Sequence, residues 1–284
     1  MTILILLIFF LLGTIFGSLY NVLIYRLPRG ESVVYPNSKC PHCGHKIKPY
    51  ENIPILSYIF LRGRCSACKN KISMRYPIVE ALTGFYFALC AYAFYIKNNE
   101  NLSILNIPDA VKTIEALLFG SILIVQSFID LDWFILLDSF NYAGIVFGVL
   151  FSLSGYGFVD IKSSILGILF GGLIPFLIYY IYLKVRKMEG LGIGDIKLLA
   201  MIGAFGGIWM VLGAMFFGSV IGLSISIPTI IKNKNMQYYI PFGPFLSIGA
   251  MLWMFLDRGI LVDHGILVDR GILVGIFIER VLWN

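Results

Sequence analysis

Seven apolar runs, most of them long enough to cross ~30 Å of hydrocarbon, constrain this chain more than any other feature. They cover residues 3–25, 78–96, 116–128, 134–154, 164–183, 196–231 and 238–256. Only helices and closed barrels satisfy their own backbone in lipid, and runs of this length are helical, so an all-α polytopic membrane protein is expected. Composition agrees, with 58% apolar and 13% charged residues. The first run lacks a basic start and a clear cleavage site, so it reads as a retained span, not a signal peptide. The third is short unless residues 111–115 join it. The sixth is too long for one helix, and Gly206-Gly207 offers a break. Splitting it there gives about eight transmembrane helices.

Charge tests that split. With eight segments and the N-terminus outside, the cytoplasmic loops are 26–77, 130–133, 184–195 and 232–237. Counting Lys197 with the third of these, they hold 16 of the 22 Lys and Arg. The outer loops hold only Lys97, Lys112 and Lys162. This is a positive-inside distribution, and leaving the sixth run whole would put Lys232 and Lys234 opposite Lys184. A pI near 9.0 is thus a matter of topology, and no nucleic-acid partner is inferred. The expected organisation is a first span (1–25), a cytoplasmic four-cysteine loop (26–77), a transmembrane domain (78–256) and a tail (257–284). The tail repeats DRGILV, DHGILV, DRGILV over residues 257–274 and is given no function; His264 belongs to the repeat.

The first loop carries Cys40-Pro41-His42-Cys43 and Cys65-Ser66-Ala67-Cys68. Two C-x2-C pairs at this separation suit a tetrahedral four-cysteine zinc site, each pair forming a tight knuckle. The reducing cytosol argues against structural disulfides; a thiol-redox pair or an iron–sulfur centre are the other readings. Four Cys ligands close the coordination sphere, which makes such a zinc site structural. His42 and His45 read as bystanders, and Cys90 as a small buried apolar residue.

The acids are the second constellation. Asp130 closes the third run, Asp132 and Asp138 follow it, and Asp195 opens the sixth within Gly192-Ile193-Gly194-Asp195-Ile196-Lys197. Carboxylates at the membrane edge are costly without a task or a partner. An Asp at a helix end is ordinarily a cap or a solvated charge. Two at one depth, in a chain without GxSxG, HExxH or GxxxxGK[ST] motifs, favour a carboxylate pair sharing one proton. Such a pair polarises water with its ionised member and protonates a scissile carbonyl with the other. Asp132 and Asp138 read as interfacial and helix-start acids. Glu31, Glu51 and Glu189 are further acids that could meet a basic partner, although solvation is the simpler role of each. Two other classes fit parts of this pattern: a proton- or cation-coupled transporter using Asp130 and Asp195, and a zinc-stabilised membrane scaffold needing neither.

Several motifs, in order, resemble the type IV prepilin leader peptidases, a GxGD-type aspartic peptidase family with bifunctional peptidase/N-methyltransferase members. They are Gly17-Ser18-Leu19-Tyr20-Asn21-Val22 with Arg26-Leu27-Pro28, the two Cys pairs and Asn52-Ile53-Pro54. Ser73-Met74-Arg75-Tyr76-Pro77, Glu80 and Ile129-Asp130-Leu131-Asp132 come next, and the Gly192–Asp195 motif with Lys197 and Pro241-Phe242-Gly243-Pro244 complete the set. The resemblance covers residues 13–254. It implies that Asp130 and Asp195 are catalytic, with Gly192, Gly194 and Lys197 in support, in the bacterial cytoplasmic membrane. It implies cleavage of the basic leader of prepilins or pseudopilins at the cytoplasmic face. For members with the cysteine loop, it also implies N-methylation of the new N-terminus from S-adenosylmethionine. There is one departure: Leu137 stands where the family usually has proline before the third acid.

Overall fold

The computed structural model describes residues 1–96, 106–187, 192–233 and 241–258. Every extended element within these residues is a helix; the only strand-like pairings are two isolated bridges in the cysteine loop. Five helices among the described residues are long and apolar enough to cross a membrane, and two shorter apolar ones accompany them. The count of eight is not reached on length alone. The helix after the third apolar run and the last one have 16 residues each, and the sixth run forms one helix with a kink. The chain divides into two compact units, residues 1–140 and 141–284.

In the first unit, α1 (Thr2–Arg26) leads into the cysteine loop, which contains the short α2 (Leu56–Phe60). Helix α3 (Arg75–Ala91) follows, and a single π turn extends it over Tyr92–Ile96. Helix α4 (Ile107–Trp133) takes in residues 111–115 and more, so the third run is a full span. Without a hydrophobic drive between helices in lipid, small residues let backbones approach and gain dispersion contacts. Helices α1 and α3 follow this rule. A Cβ at Gly13 would lie 2.6 Å from the Thr83 carbonyl oxygen, and one at Gly17 would lie 2.7 Å from the Cα of Glu80. On α4, Gly120 makes room for the Tyr86 ring, whose hydroxyl donates to the Ala116 carbonyl at 2.6 Å. Tyr20 reaches α4 from α1, its hydroxyl 2.5 Å from Ser121 Oγ.

The second unit holds most of α5 (Asp138–Leu153), with α6 (Ile161–Arg186), α7 (Ile193–Asn233) and α8 (Gly243–Arg258). Asp160 caps α6, accepting from the Lys162 backbone N–H at 3.2 Å. Its contact with α7 is built on glycine: a Cβ on Gly203 would sit 2.1 Å from the Gly167 carbonyl oxygen. Next to this contact α7 breaks, with Gly207 at φ 71° and ψ −166°, a conformation open in practice only to glycine. The break expected at Gly206-Gly207 is therefore real, and it falls on the second glycine. Residues 134–137, expected to begin a helix, instead form the link between α4 and α5. The repeat at 259–274, most of the 232–237 loop, and Glu189 lie outside the described residues.

Candidate functional site

The four cysteines of the loop converge. Their Sγ atoms all lie within 4.8 Å of one another, and Cys40 Sγ is 3.9 Å from Cys68 Sγ. A tetrahedral zinc ion with ~2.3 Å bonds would hold its sulfurs ~3.8 Å apart, so the geometry fits such an ion. One cluster of four thiols, not two separate close pairs, also argues against the disulfide reading. The cluster is built from two copies of one turn, offset by 25 residues. Bridges pair Lys39 with Lys46 and Arg64 with Lys71. The Cys40 N–H donates to the His45 carbonyl and the Cys65 N–H to the Asn70 carbonyl, both at 2.9 Å. After the second Cys of each pair the chain turns left-handed, at Gly44 (φ 72°) and at Lys69 (φ 60°). N–H groups of Cys68 and Ala67 point at the Cys65 sulfur and bring its thiol down to about 6. Against the pull of the Asn70 N–H, burial and the neighbouring thiols push that of Cys68 up to about 11, the split expected of close thiols that hold one negative charge between them.

His45 is no ligand. Its Nε2 lies 3.3 Å from Glu51 Oε2. Glu51 also accepts from the Lys48 backbone N–H at 2.9 Å. That N–H, then Ser66 and His45, hold the Glu51 carboxyl at about 2. Glu51 therefore ties the first knuckle to the second and is not a solvated acid waiting for a basic partner.

Asp130 lies in the last turn of α4 and is buried, with Ile129 beside it fully so. The helix ends at Phe134 in the left-handed region (φ 56°), whose N–H donates to the Asp130 carbonyl at 2.9 Å. Asp132, exposed in the same turn, pairs with Arg75 at the start of α3. Asp138 is exposed in the first turn of α5, as expected of a helix-start acid. In the second unit, Asp195 is half-buried in the first turn of α7. Gly192 stands next to its carboxylate, and a Cβ there would be 3.0 Å from Oδ2. Gly194 is half-buried, and Lys197 Nζ lies 5.6 Å from the centre of the Tyr142 ring.

Two contributors escape a reading of the sequence alone. Gln126, fully buried one turn before Asp130, accepts from the Leu137 N–H at 2.8 Å. Proline could not make this bond, so Leu137 supports the turn after Asp130 in a way the usual residue does not. The available signal was one amide in an otherwise apolar turn. The other is the pairing of buried Glu80 with the loop: its Oε2 accepts from the Ile55 N–H at 2.7 Å. Ile55 has φ 62°, and nothing in the local sequence announces that a β-branched residue will sit there.

Comparison with known proteins matches both parts of the chain. Residues 11–94 match the bacterial peptidase A24 N-terminal domain. Residues 117–227 match the type IV leader peptidase family. The prepilin leader peptidase/N-methyltransferase of Aeromonas hydrophila is 34% identical, over 86% of this chain and 89% of its own length. That of Pseudomonas putida is 33% identical over 85% and 88%, and that of Dichelobacter nodosus 32% over 83% and 86%. No solved structure matches. With five apolar helices long enough to span a bilayer among the described residues and relatives aligned over more than four-fifths of the chain, this multi-pass membrane protein belongs to the type IV prepilin leader peptidase family.

Proposed function

We propose that this protein is a membrane aspartic endopeptidase that removes the basic leader from prepilins or pseudopilins and then N-methylates the new N-terminus. The observation that carries the peptidase half is the placement of Asp130 and Asp195. Each lies in a terminal turn of a long apolar helix, and neither is mid-span. A transporter using the same acids would be expected to hold them near mid-bilayer. A scaffold would have no use for a glycine kept bare beside one of them.

In this reading the two carboxyl groups act as a pair sharing one proton. The ionised carboxylate takes a proton from water as its oxygen attacks the scissile carbonyl carbon. The protonated partner donates to the carbonyl oxygen. Collapse of the tetrahedral intermediate breaks the C–N bond, and the amine leaves with a proton returned from the pair. Gly192, Gly194 and Lys197 keep the Asp195 turn open and oriented. Eight spans, an outer N-terminus and acids facing the cytoplasm of an inner membrane belong to the same proposal; the positive-inside charge and the break at Gly207 support them.

Cys40, Cys43, Cys65 and Cys68 would hold a structural zinc ion, which supplies a covalent staple for a loop with little core of its own. The relatives' methyltransferase name implies S-adenosylmethionine as donor. The test is leader cleavage by purified protein in lipid. Asp130→Asn and Asp195→Asn should each lower the rate at least about a hundredfold while the variants insert and accumulate normally. Cleavage that survives either change removes that acid from the mechanism.

A further inference from the structure

The cysteine loop would be expected to stand wholly in water, yet part of it lies deeper than the helix ends that flank it. Arg26 ends α1. The Arg29 guanidinium lies 3.8 Å from the centre of the Tyr25 ring and 4.9 Å from that of Trp133. Arg75 pairs with Asp132 at the same end of the unit. Tyr, Trp and Arg gathered in this way mark a headgroup level.

Two contacts put residues 52–55 below it. Asn52 and Pro54 share a groove of about 300 Å³ with Ile15, Ser18, Leu19 and Val22 of α1. At 1.5 Å per residue, those α1 positions lie roughly 6 to 17 Å from Arg26 toward the bilayer centre. Independently, the Ile55 N–H is held by the carboxylate of Glu80, a residue whose Cα is about 7.5 Å beyond that of Arg75 along α3 and whose side chain also bonds that of Ser18 on α1. Backbone at membrane depth is tolerated only when its polar groups are satisfied by protein. Here Ile55 donates to Glu80, Leu56 to the Pro54 carbonyl at 2.6 Å, and Ser57 to the Ile53 carbonyl at 3.0 Å. Ile55, at φ 62° and ψ −51°, is where the chain reverses in a strained γ-turn closed by the Leu56 N–H on the Pro54 carbonyl, and α2 then carries it back out.

Apart from exposed Asn52, the surface of this dip is apolar. Ile53, Leu56, Ile59 and Phe60 are all exposed, Phe60 by 80%, and they continue the exposed apolar face of α1 at Ile15 and Leu19. Around it the charge is predominantly positive. Residues 26–77 contain ten Lys and Arg against two Glu, and Arg62 and Arg64, just after α2, are exposed. An apolar tip beneath a basic collar is the pattern of a segment seated at the boundary of headgroups and acyl chains.

We infer that residues 52–60 form a re-entrant segment seated in the cytoplasmic leaflet. Acyl chains of anionic phospholipid cover Ile59 and Phe60 and enter the Pro54–Leu19 groove, and headgroup phosphates meet the basic collar. The inference rests on the membrane topology and not on the aspartate chemistry. Leader cleavage measured on the same preparation therefore separates its failure from that of the peptidase reading.

The experiment uses the full-length protein, one copy per lipid nanodisc, without substrate. A phospholipid carrying a diazirine in its acyl chain is photolysed and adducts are mapped by mass spectrometry. Adducts are expected on residues 53–60 and on Phe85 and Leu89, which are exposed on α3, but not on residues 39–48. Labelling of 53–60 should be at least about twofold stronger in phosphatidylglycerol than in phosphatidylcholine discs. Absence of adducts on 53–60 while Phe85 and Leu89 are labelled overturns the inference, whether water or a protein partner covers the segment. Equal labelling in the two lipids overturns the part assigned to anionic headgroups.

Discussion

At the scale of single residues, the site is governed by what is missing as much as by what is present. Gly192 leaves open the space in which the Asp195 carboxylate rests. Gly192→Ala should leave folding intact and, with Asp195 in its proposed role, lower the cleavage rate by about tenfold. The added Cβ, 3.0 Å from Oδ2, pushes the carboxylate by a few tenths of an ångström, and a misplacement of about 1 Å costs about a hundredfold. A kcat that falls at unchanged KM is the expected signature, and an unchanged kcat would show that the carboxylate has room to shift. Leu137 is the opposite case, valued for a backbone hydrogen. Leu137→Pro removes the donor to Gln126 and should cost about 0.5–1.5 kcal/mol, read as an earlier thermal unfolding midpoint in detergent. If the midpoint rises, proline's fixed φ outweighs the lost bond and the clamp has no role.

Among the elements, two designs recur. The cysteine knuckle is used twice, and its copies differ at one informative place: the left-handed position is Gly44 in the first and Lys69 in the second. A side chain there costs roughly 1 kcal/mol, so Lys69→Gly should tighten zinc retention against a chelator by about fivefold, while Gly44→Ala should loosen it similarly. Metal content is the direct check, with one zinc per chain expected and loss on Cys40→Ser. Helix pairing by glycine is the second device. A methyl group on Gly203 has nowhere to go but into the Gly167 carbonyl. Gly203→Ala should destabilise the second unit by about 1–3 kcal/mol, read by thermal unfolding; an unchanged midpoint would mean that the helices slide apart freely. Because α7 carries Asp195 in its first turn, cleavage should fall with stability.

For the molecule as a whole, hydropathy and charge were legible in the sequence because each is summed over many residues. The bilayer rewards a continuous apolar run whatever its neighbours are, so the runs, the gathering of Lys and Arg into alternate loops and the break near Gly207 needed no tertiary information. The C-x2-C pairs were equally plain, since ligand spacing within a knuckle is a local matter. Helix ends were not. The reach of α4 to Trp133, which puts Asp130 in a helical turn, depends on a left-handed cap at Phe134 and a bond from Gln126 to a residue eleven positions on. Nor could the sequence tell that Glu51 binds two knuckles together, or that Glu80 draws Ile55 into a strained turn. Sequence alone determined that this chain lives in a membrane, which residue types could do chemistry there, and where a metal would be held. Tertiary structure alone decided which polar groups are satisfied by which partners. Those bonds join positions distant in the chain, and their energy appears only once packing has excluded both water and lipid.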